Sequence, residues 1–346
     1  MLSLFIIYFV TFVLIFFNII IFKSSIIGFT SSIIYVYISS VLCGNIFFKN
    51  EVFWHRIMFG FFVFIVFLSF AGAVTLALYR LTTIFILLIL FVITFLLVAL
   101  NIKIHGFKSM FFKSKKVVDI ASEKGASKKL HFMLRRENLF QSLYFALVAL
   151  CFLLLIISRS EETVTIWMVM HPAFLPFYFI ATLLLLAVLL SKTRTGLKLF
   201  FILVHSLLTH SFLVIVLNLG LYGDMWHILG LTRDIVSTGK NVPSLFDFMS
   251  GEVWMSGIQV IYFVARKRVL QALVPILANM FGVDIFWSQS FLTPVLWTLF
   301  VPFLIYKIVK ALGGKESDSL LGAFLSLLVP TLIWWGAITV SYTHLR

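Results

Sequence analysis

The sequence predicts an all-α fold: a polytopic membrane bundle of about nine transmembrane helices, with an interfacial helical segment on its outer face. Three observations predict it. Of 346 residues, 62% are hydrophobic and only 12% are charged, whereas a soluble domain is near half apolar and a quarter charged. The apolar residues fall in continuous runs of roughly 20, the length that crosses a hydrocarbon core. The runs do not alternate apolar with polar residues, which excludes barrel strands. A soluble globule of this length cannot hide so much apolar surface. A cytosolic enzyme, a nucleic-acid-binding protein and a disordered chain are therefore excluded.

The runs lie at 2–22, 26–48, 57–79, 81–101, 139–158, 163–190, 199–218, 285–306 and 319–338. The first has no basic residue before Lys23 and is long for a cleaved signal peptide, so it reads as a retained span. Only Arg80 separates the third run from the fourth, which demands a tight turn. His171-Pro172 and Pro176 predict a kink in the sixth. Cys43 and Cys151 both sit inside apolar runs, without metal-ligand spacing or a disulfide framework.

Charge sets the orientation. The balance of 27 Lys+Arg against 13 Asp+Glu gives +14, and the cations lie in loops between the runs. That is the positive-inside pattern. Loop 102–138 carries Lys103, Lys108, Lys113, Lys115, Lys116, Lys124, Lys128, Lys129, Arg135 and Arg136. Loop 191–198 carries Lys192, Arg194 and Lys198, and Lys307, Lys310 and Lys315 follow the eighth run. These loops read as cytoplasmic. The N-terminus is then cytoplasmic and segment 219–284 extracytoplasmic, in a cell membrane. Loop 102–138 reads as a surface segment held by anionic lipid headgroups, with nucleic acid as the weaker alternative.

Composition shifts near residue 192. Before it, the runs are almost free of ionisable groups apart from His171; after it come His205, His210 and a long loop holding most of the remaining acids. Two regions follow: an N-terminal transmembrane module, 1–190, whose role cannot be read, and a region 191–346 carrying the polar chemistry.

The informative stretch begins at Gly223-Asp224. Asp224 suits a helix N-cap and Gly239 a C-cap, with Pro243 beyond. Trp226, Leu229, Arg233 and Val236 form one helical stripe; Asp224, His227, Leu231 and Asp234 form another. Two carboxylates and an imidazole can thus share one face of a short helix at the membrane surface. The plain alternative is that Asp224 only caps the helix while His227, Arg233 and Asp234 are solvated.

Asp224-Met-Trp-His227, then Arg233-Asp234-Ile-Val and Gly239, resembles the first outer loop of GT-C glycosyltransferases. These polytopic enzymes, oligosaccharyltransferases and protein mannosyltransferases among them, take sugars from polyprenyl-phosphate carriers. The segment Ala272 to Asp284 is similar to the family's re-entrant or interfacial helix ending in a Gly-x-Asp turn, and the Lys-Ala-Leu-Gly-Gly loop at 310–314 also fits. The likeness covers about 195–340 and departs in having six spans ahead of the loop. It implies a lipid-linked sugar donor and membrane lipids as partners. Asp224 and His227 become the catalytic candidates, and Trp226, Arg233 and Asp234 the substrate-binding ones. A base must take the acceptor's proton as positive charge develops at the sugar carbon, and a carboxylate at a helix N-terminus stays ionised. If a divalent cation takes part, the hard oxygens of Asp224 and Glu252 suit Mg²⁺ or Mn²⁺.

Arg266-Lys267-Arg268 interrupts the apolar segment 257–282. The triplet reads equally as a grip on the carrier's phosphate and as cations of an interfacial helix snorkelling to headgroups. A third reading has 257–282 crossing the membrane, at the cost of Arg266 in hydrocarbon. His205 and His210 read as helix–helix hydrogen-bonding groups rather than metal ligands. The Trp334-Trp335 pair fits an aromatic belt. Proteins of the resembled type continue for several more spans, and Ser341 to Arg346 looks like translated adaptor sequence, so the chain reads as a fragment. The rival function is a transporter or flippase, which calls for broken helices and ionisable groups near the midplane; a non-enzymatic scaffold is a third.

Overall fold

The computed structural model describes residues 2–105, 128–160, 169–217, 224–239 and 268–329, with backbone alone for 2–3, 105, 128–138, 224–228 and 268–270. The described helices are α1 (Leu2–Phe17), α2 (Ser25–Phe47), α3 (Phe53–Leu78), α4 (Thr83–His105), α5 (Lys128–Ile157), α6 (Phe174–Leu190), α7 (Thr195–Val216), α8 (Asp224–Thr238), α9 (Arg268–Phe281), α10 (Ile285–Ala311) and α11 (Glu316–Leu325). A π-helical segment, Asn18–Phe22, extends α1, and a 3₁₀ turn, Ser326–Leu328, ends α11. Extended pairing among the described residues is confined to an isolated bridge between Ser160 and Leu217.

Among the described residues, seven helices are long and apolar enough to cross a membrane: Leu4–Phe22, Ser25–Phe47, Phe53–Leu78, Thr83–Ile104, Leu139–Ile157, Thr195–Val216 and Ile285–Ala311. The chain is a multi-pass integral membrane protein. Two of the nine expected spans, the sixth and the ninth, are described only in part. In the sixth run the described helix is Phe174–Leu190, 17 residues, and 163–168 lie outside the described residues. The ninth is helical over Glu316–Leu325, and its remainder from 330 lies outside the described residues. The expected kink is absent from α6. Pro172 precedes the helix and Pro176 sits in its first turn, where no intrahelical N–H is lost. His171 instead closes the entry to α6, its Nδ1 accepting from Ala173 N at 3.2 Å.

The packing divides the chain differently from its composition. One compact unit joins Met1–Val118 with Trp226–Gln289; the other joins Asp119–Met225 with Ser290–Arg346. In the first, α2 and α3 pack backbone to backbone. A Cβ on Gly60 would overlap the Ser40 carbonyl oxygen, and one on Gly44 the Arg56 carbonyl oxygen. Small residues at such crossings replace the hydrophobic drive that lipid removes. Tyr8 of α1 stacks on Tyr35 of α2 with centroids 4.9 Å apart. The Tyr8 hydroxyl meets Ser39 at 2.9 Å and the Tyr35 hydroxyl meets Thr94 of α4 at 2.8 Å. Every one of these groups is buried, so each bond removes a polar group from hydrocarbon.

In the second unit, α7 is mostly buried, including Phe201, Ile202, His205, Leu208 and Leu213. Tyr144 of α5 donates to the Phe201 carbonyl at 3.1 Å. Tyr178 of α6 meets Thr209 at 2.8 Å. The Lys198 ammonium donates to the carbonyls of Leu189 and Ser191 at 2.7 and 2.6 Å, closing the C-terminal end of α6.

Candidate functional site

Helix α8 runs from Asp224 to Thr238, with Asp224 as its first residue, and Gly239 follows with φ +79°. Gly239 N donates to the Ile235 carbonyl at 2.8 Å, the pattern of a left-handed glycine C-cap. The Gly239 carbonyl accepts from Leu81 N at 2.7 Å, so the helix end is bonded to the turn between α3 and α4. That turn, Tyr79 to Thr82, is as tight as the lone Arg80 requires. A Cβ on Gly239 would lie 3.0 Å from Arg80 Cβ, and the Arg80 guanidinium lies 5.8 Å from the Tyr79 ring centre.

The buried face of α8 is Leu229, Thr232 and Ile235. Of the expected stripe of Trp226, Leu229, Arg233 and Val236, Leu229 is buried while Arg233 and Val236 are exposed. Thr232 and Ile235 face inward because they follow Leu229 at three-residue steps toward Gly239. Asp234 is exposed beside Arg233; its backbone carbonyl accepts the Thr238 hydroxyl at 2.7 Å. Asp224, Trp226 and His227 lie on the first turn of α8, and their side chains fall outside the described residues.

The Gly-x-Asp turn forms as expected. Gly282 has φ +63° and ends α9; Asp284 Oδ1 accepts from Phe286 N at 2.7 Å and opens α10. Helix α9 itself is enclosed. Gln271, Ala272, Leu273, Val274, Ile276, Leu277, Ala278 and Met280 are all buried. This burial shows that 271–278 pack against protein, and it tests none of the readings given for 257–282. Its path runs over small residues: a Cβ on Gly72 of α3 would lie 2.7 Å from Ile276 Cδ1 and 3.0 Å from Ala272 Cβ, and one on Gly28 of α2 would lie 2.5 Å from the Phe281 carbonyl. Ser32 Oγ donates to the Met280 carbonyl at 2.8 Å and Ser25 Oγ to the Gly282 carbonyl at 2.5 Å. The α1–α2 turn and the Gly282–Asp284 turn therefore meet.

Asn18, missed in the sequence, anchors this junction. It is fully buried in the π-helical segment, and its Oδ1 accepts from Ser24 N at 2.9 Å. A lone asparagine inside an apolar run was the available signal. Of the cationic triplet, Arg268 is the first residue of α9; Arg266 and Lys267, with Glu252, lie outside the described residues. The described part of this helix, Arg268–Phe281, has 14 residues.

His205 is fully buried between α5, α6 and α7. Its Nε2 meets Thr182 Oγ1 at 3.0 Å, and its ring stacks on Tyr178 with centroids 5.0 Å apart. His210 Nδ1 lies 2.7 Å from the Ser206 carbonyl, one turn back. The expected helix–helix hydrogen bond holds for His205; the Nδ1 bonds of His210 run to Ser206 of its own helix. Among the described residues, no group of three or more His, Cys, Asp or Glu side chains comes together.

No protein-family model matches the chain, nor does any curated protein or solved structure.

Proposed function

We propose that the protein is a membrane glycosyltransferase of GT-C type. It transfers a sugar from a polyprenyl-phosphate donor to an acceptor on the extracytoplasmic face of the cell membrane. One observation supports the reading above the others: Asp224 is the first residue of a helix that follows the buried span α7 within eight residues, and that helix's far end is bonded to the Arg80 turn. A carboxylate at that position has a helix N-terminus to hold it ionised and a membrane-surface location from which to take an acceptor's proton. His227, one turn later, orients the acceptor. Trp226, Arg233 and Asp234 contact the substrate. The cations Arg266, Lys267 and Arg268 face the carrier's phosphate at the head of α9, where the helix dipole adds to their charge. Asp224 and Glu252 offer hard oxygens should Mg²⁺ or Mn²⁺ take part; no step is routed through a metal. The positive-inside pattern supports a cytoplasmic N-terminus and an extracytoplasmic 219–284.

The test is sugar transfer from a radiolabelled polyprenyl-phosphate hexose in membranes containing the protein. Asp224→Ala abolishes transfer while the protein still inserts. Full transfer by that variant overturns the site, and no transfer by the unaltered chain overturns the enzyme.

A second reading, a transporter or flippase, is favoured by the enclosed helix α9 and by the histidines of α7. Flux of a fluorescent polyprenyl-phosphate analogue across proteoliposomes, unaffected by Asp224→Ala, would select it.

A further inference from the structure

Helix α10 carries a repeated local pattern. Pro294 and Pro302 supply no N–H to the carbonyls four residues earlier, those of Ser290 and Thr298. Both earlier residues bear hydroxyls. Ser290 is 1% exposed and Thr298 is 3% exposed, and among the described residues neither side-chain oxygen has a hydrogen-bond partner. Between them, the Trp297 indole N–H is also buried without a partner among the described residues. Ser290 and Trp297 are seven residues apart, two turns on one helix face. The Trp297 ring lies 6.5 Å from the ring of His210 on α7. His210 donates its Nδ1 proton to the Ser206 carbonyl, so its Nε2 is the acceptor. All four residues belong to the second compact unit.

A buried hydroxyl or indole N–H left without a partner costs about 1–3 kcal/mol, and in hydrocarbon no solvent relieves it. Three such groups on one span, each beside or between proline-opened carbonyls, are not accounted for by packing. Native proteins satisfy groups of this kind with bound water or ligand. The set offers two hydroxyls and an indole donor, carbonyl and imidazole acceptors, and no formal charge, which fits an uncharged hydroxyl group rather than an ion.

We propose that the second unit holds a hydrophilic site at membrane depth, formed by Ser290, Trp297 and Thr298 of α10 beside His210 of α7, that binds uncharged hydroxyl groups, either water or the hydroxyls of a polyol. Ser290 lies roughly 8 Å and Thr298 roughly 20 Å along the span from its first residue, so the site reaches toward mid-bilayer. The assignment stands independently of the glycosyltransferase reading.

The test is thiol accessibility in lipid nanodiscs, using Ser290→Cys, Thr298→Cys and a buried apolar control on the same helix, Leu292→Cys. Native Cys43 and Cys151, both fully buried, set the background. Thiols ionise and react only where water reaches them, so the two site cysteines should react with a membrane-impermeant methanethiosulfonate about tenfold faster than position 292. Equal rates at all three positions overturn the proposal, provided complete labelling in SDS and a monodisperse gel-filtration peak show that each variant is intact. Methyl glucoside at high concentration separates the occupants: slowed labelling identifies a polyol, and an unchanged rate identifies water. A readout without cysteines is deuterium exchange of the Trp297 indole proton in ¹⁵N-tryptophan protein, assigned by Trp297→Phe. Its persistence in D₂O on the timescale of buried backbone amides also overturns the site.

Discussion

Leu81 N donates to the Gly239 carbonyl at 2.7 Å, joining the turn between two N-terminal spans to the end of the helix that starts at Asp224. Segments more than 150 positions apart in the chain are thereby held together. The N-terminal spans, whose role could not be read from composition, are in this unit the frame on which α8 and α9 rest. Gly239 is left-handed at φ +79°, a conformation that costs a non-glycine residue about 1–2 kcal/mol. Gly239→Val should lower the thermal midpoint in detergent by several degrees. Gly239→Asn should lower it less, because asparagine tolerates that region. Equal losses would show that contact with Arg80, not backbone conformation, dominates.

Two other glycines should respond with opposite signs. Gly60→Ala puts a methyl group into the Ser40 carbonyl and should destabilise by about 1–3 kcal/mol as α2 and α3 are forced apart. Gly230 lies inside α8 with nothing within 4 Å of its would-be Cβ. Gly230→Ala should stabilise by up to about 1 kcal/mol through helix propensity. Steric-trap or denaturant unfolding of both variants checks the pair.

The His205–Thr182 bond ties α7 to α6 inside the bundle. Hydrogen bonds between spans average about 0.6 kcal/mol in double-mutant cycles. The cycle His205→Phe, Thr182→Val should give a coupling of that size. Phenylalanine retains the stack on Tyr178, so a coupling near zero would assign His205's contribution to ring packing alone.

Asp284 caps α10 through Phe286 N. Asp284→Ala should cost about 1 kcal/mol, and Asp284→Asn only a few tenths, since the amide oxygen accepts the same bond. Losses of equal size would mean that the charge, rather than the cap, is what position 284 supplies. Thermal unfolding of the two variants distinguishes these outcomes.

Local features of the candidate site were legible in the sequence. Gly239 ends α8, Asp284 opens α10 and the Arg80 turn is tight, because each depends on a residue's own backbone preference or on a neighbour within four positions. The facing of α8 was not legible. Leu229, Thr232 and Ile235 point inward, yet Val236, which is exposed, was equally eligible by apolarity. Pro172 and Pro176 were read as a kink because the sixth run is apolar from end to end; the helix instead starts at Phe174, and neither proline interrupts it. The hydroxyl–proline pairs of α10 were visible as a spacing, but their burial was not.

By itself the sequence determined that the chain crosses a membrane repeatedly, where most of its helices lie and how their connectors alternate in charge. Those properties follow from the transfer of each side chain and peptide group into hydrocarbon, a cost that adds up along the chain. Only the tertiary structure decided which faces meet: α9 enclosed over Gly28 and Gly72, Tyr8 against Tyr35, His205 against Thr182. Spans that are apolar all round have no polar stripe to tell a buried side from a lipid-facing one. The choice of face falls to small residues and single hydroxyls, whose effect appears only when two helices come within contact distance.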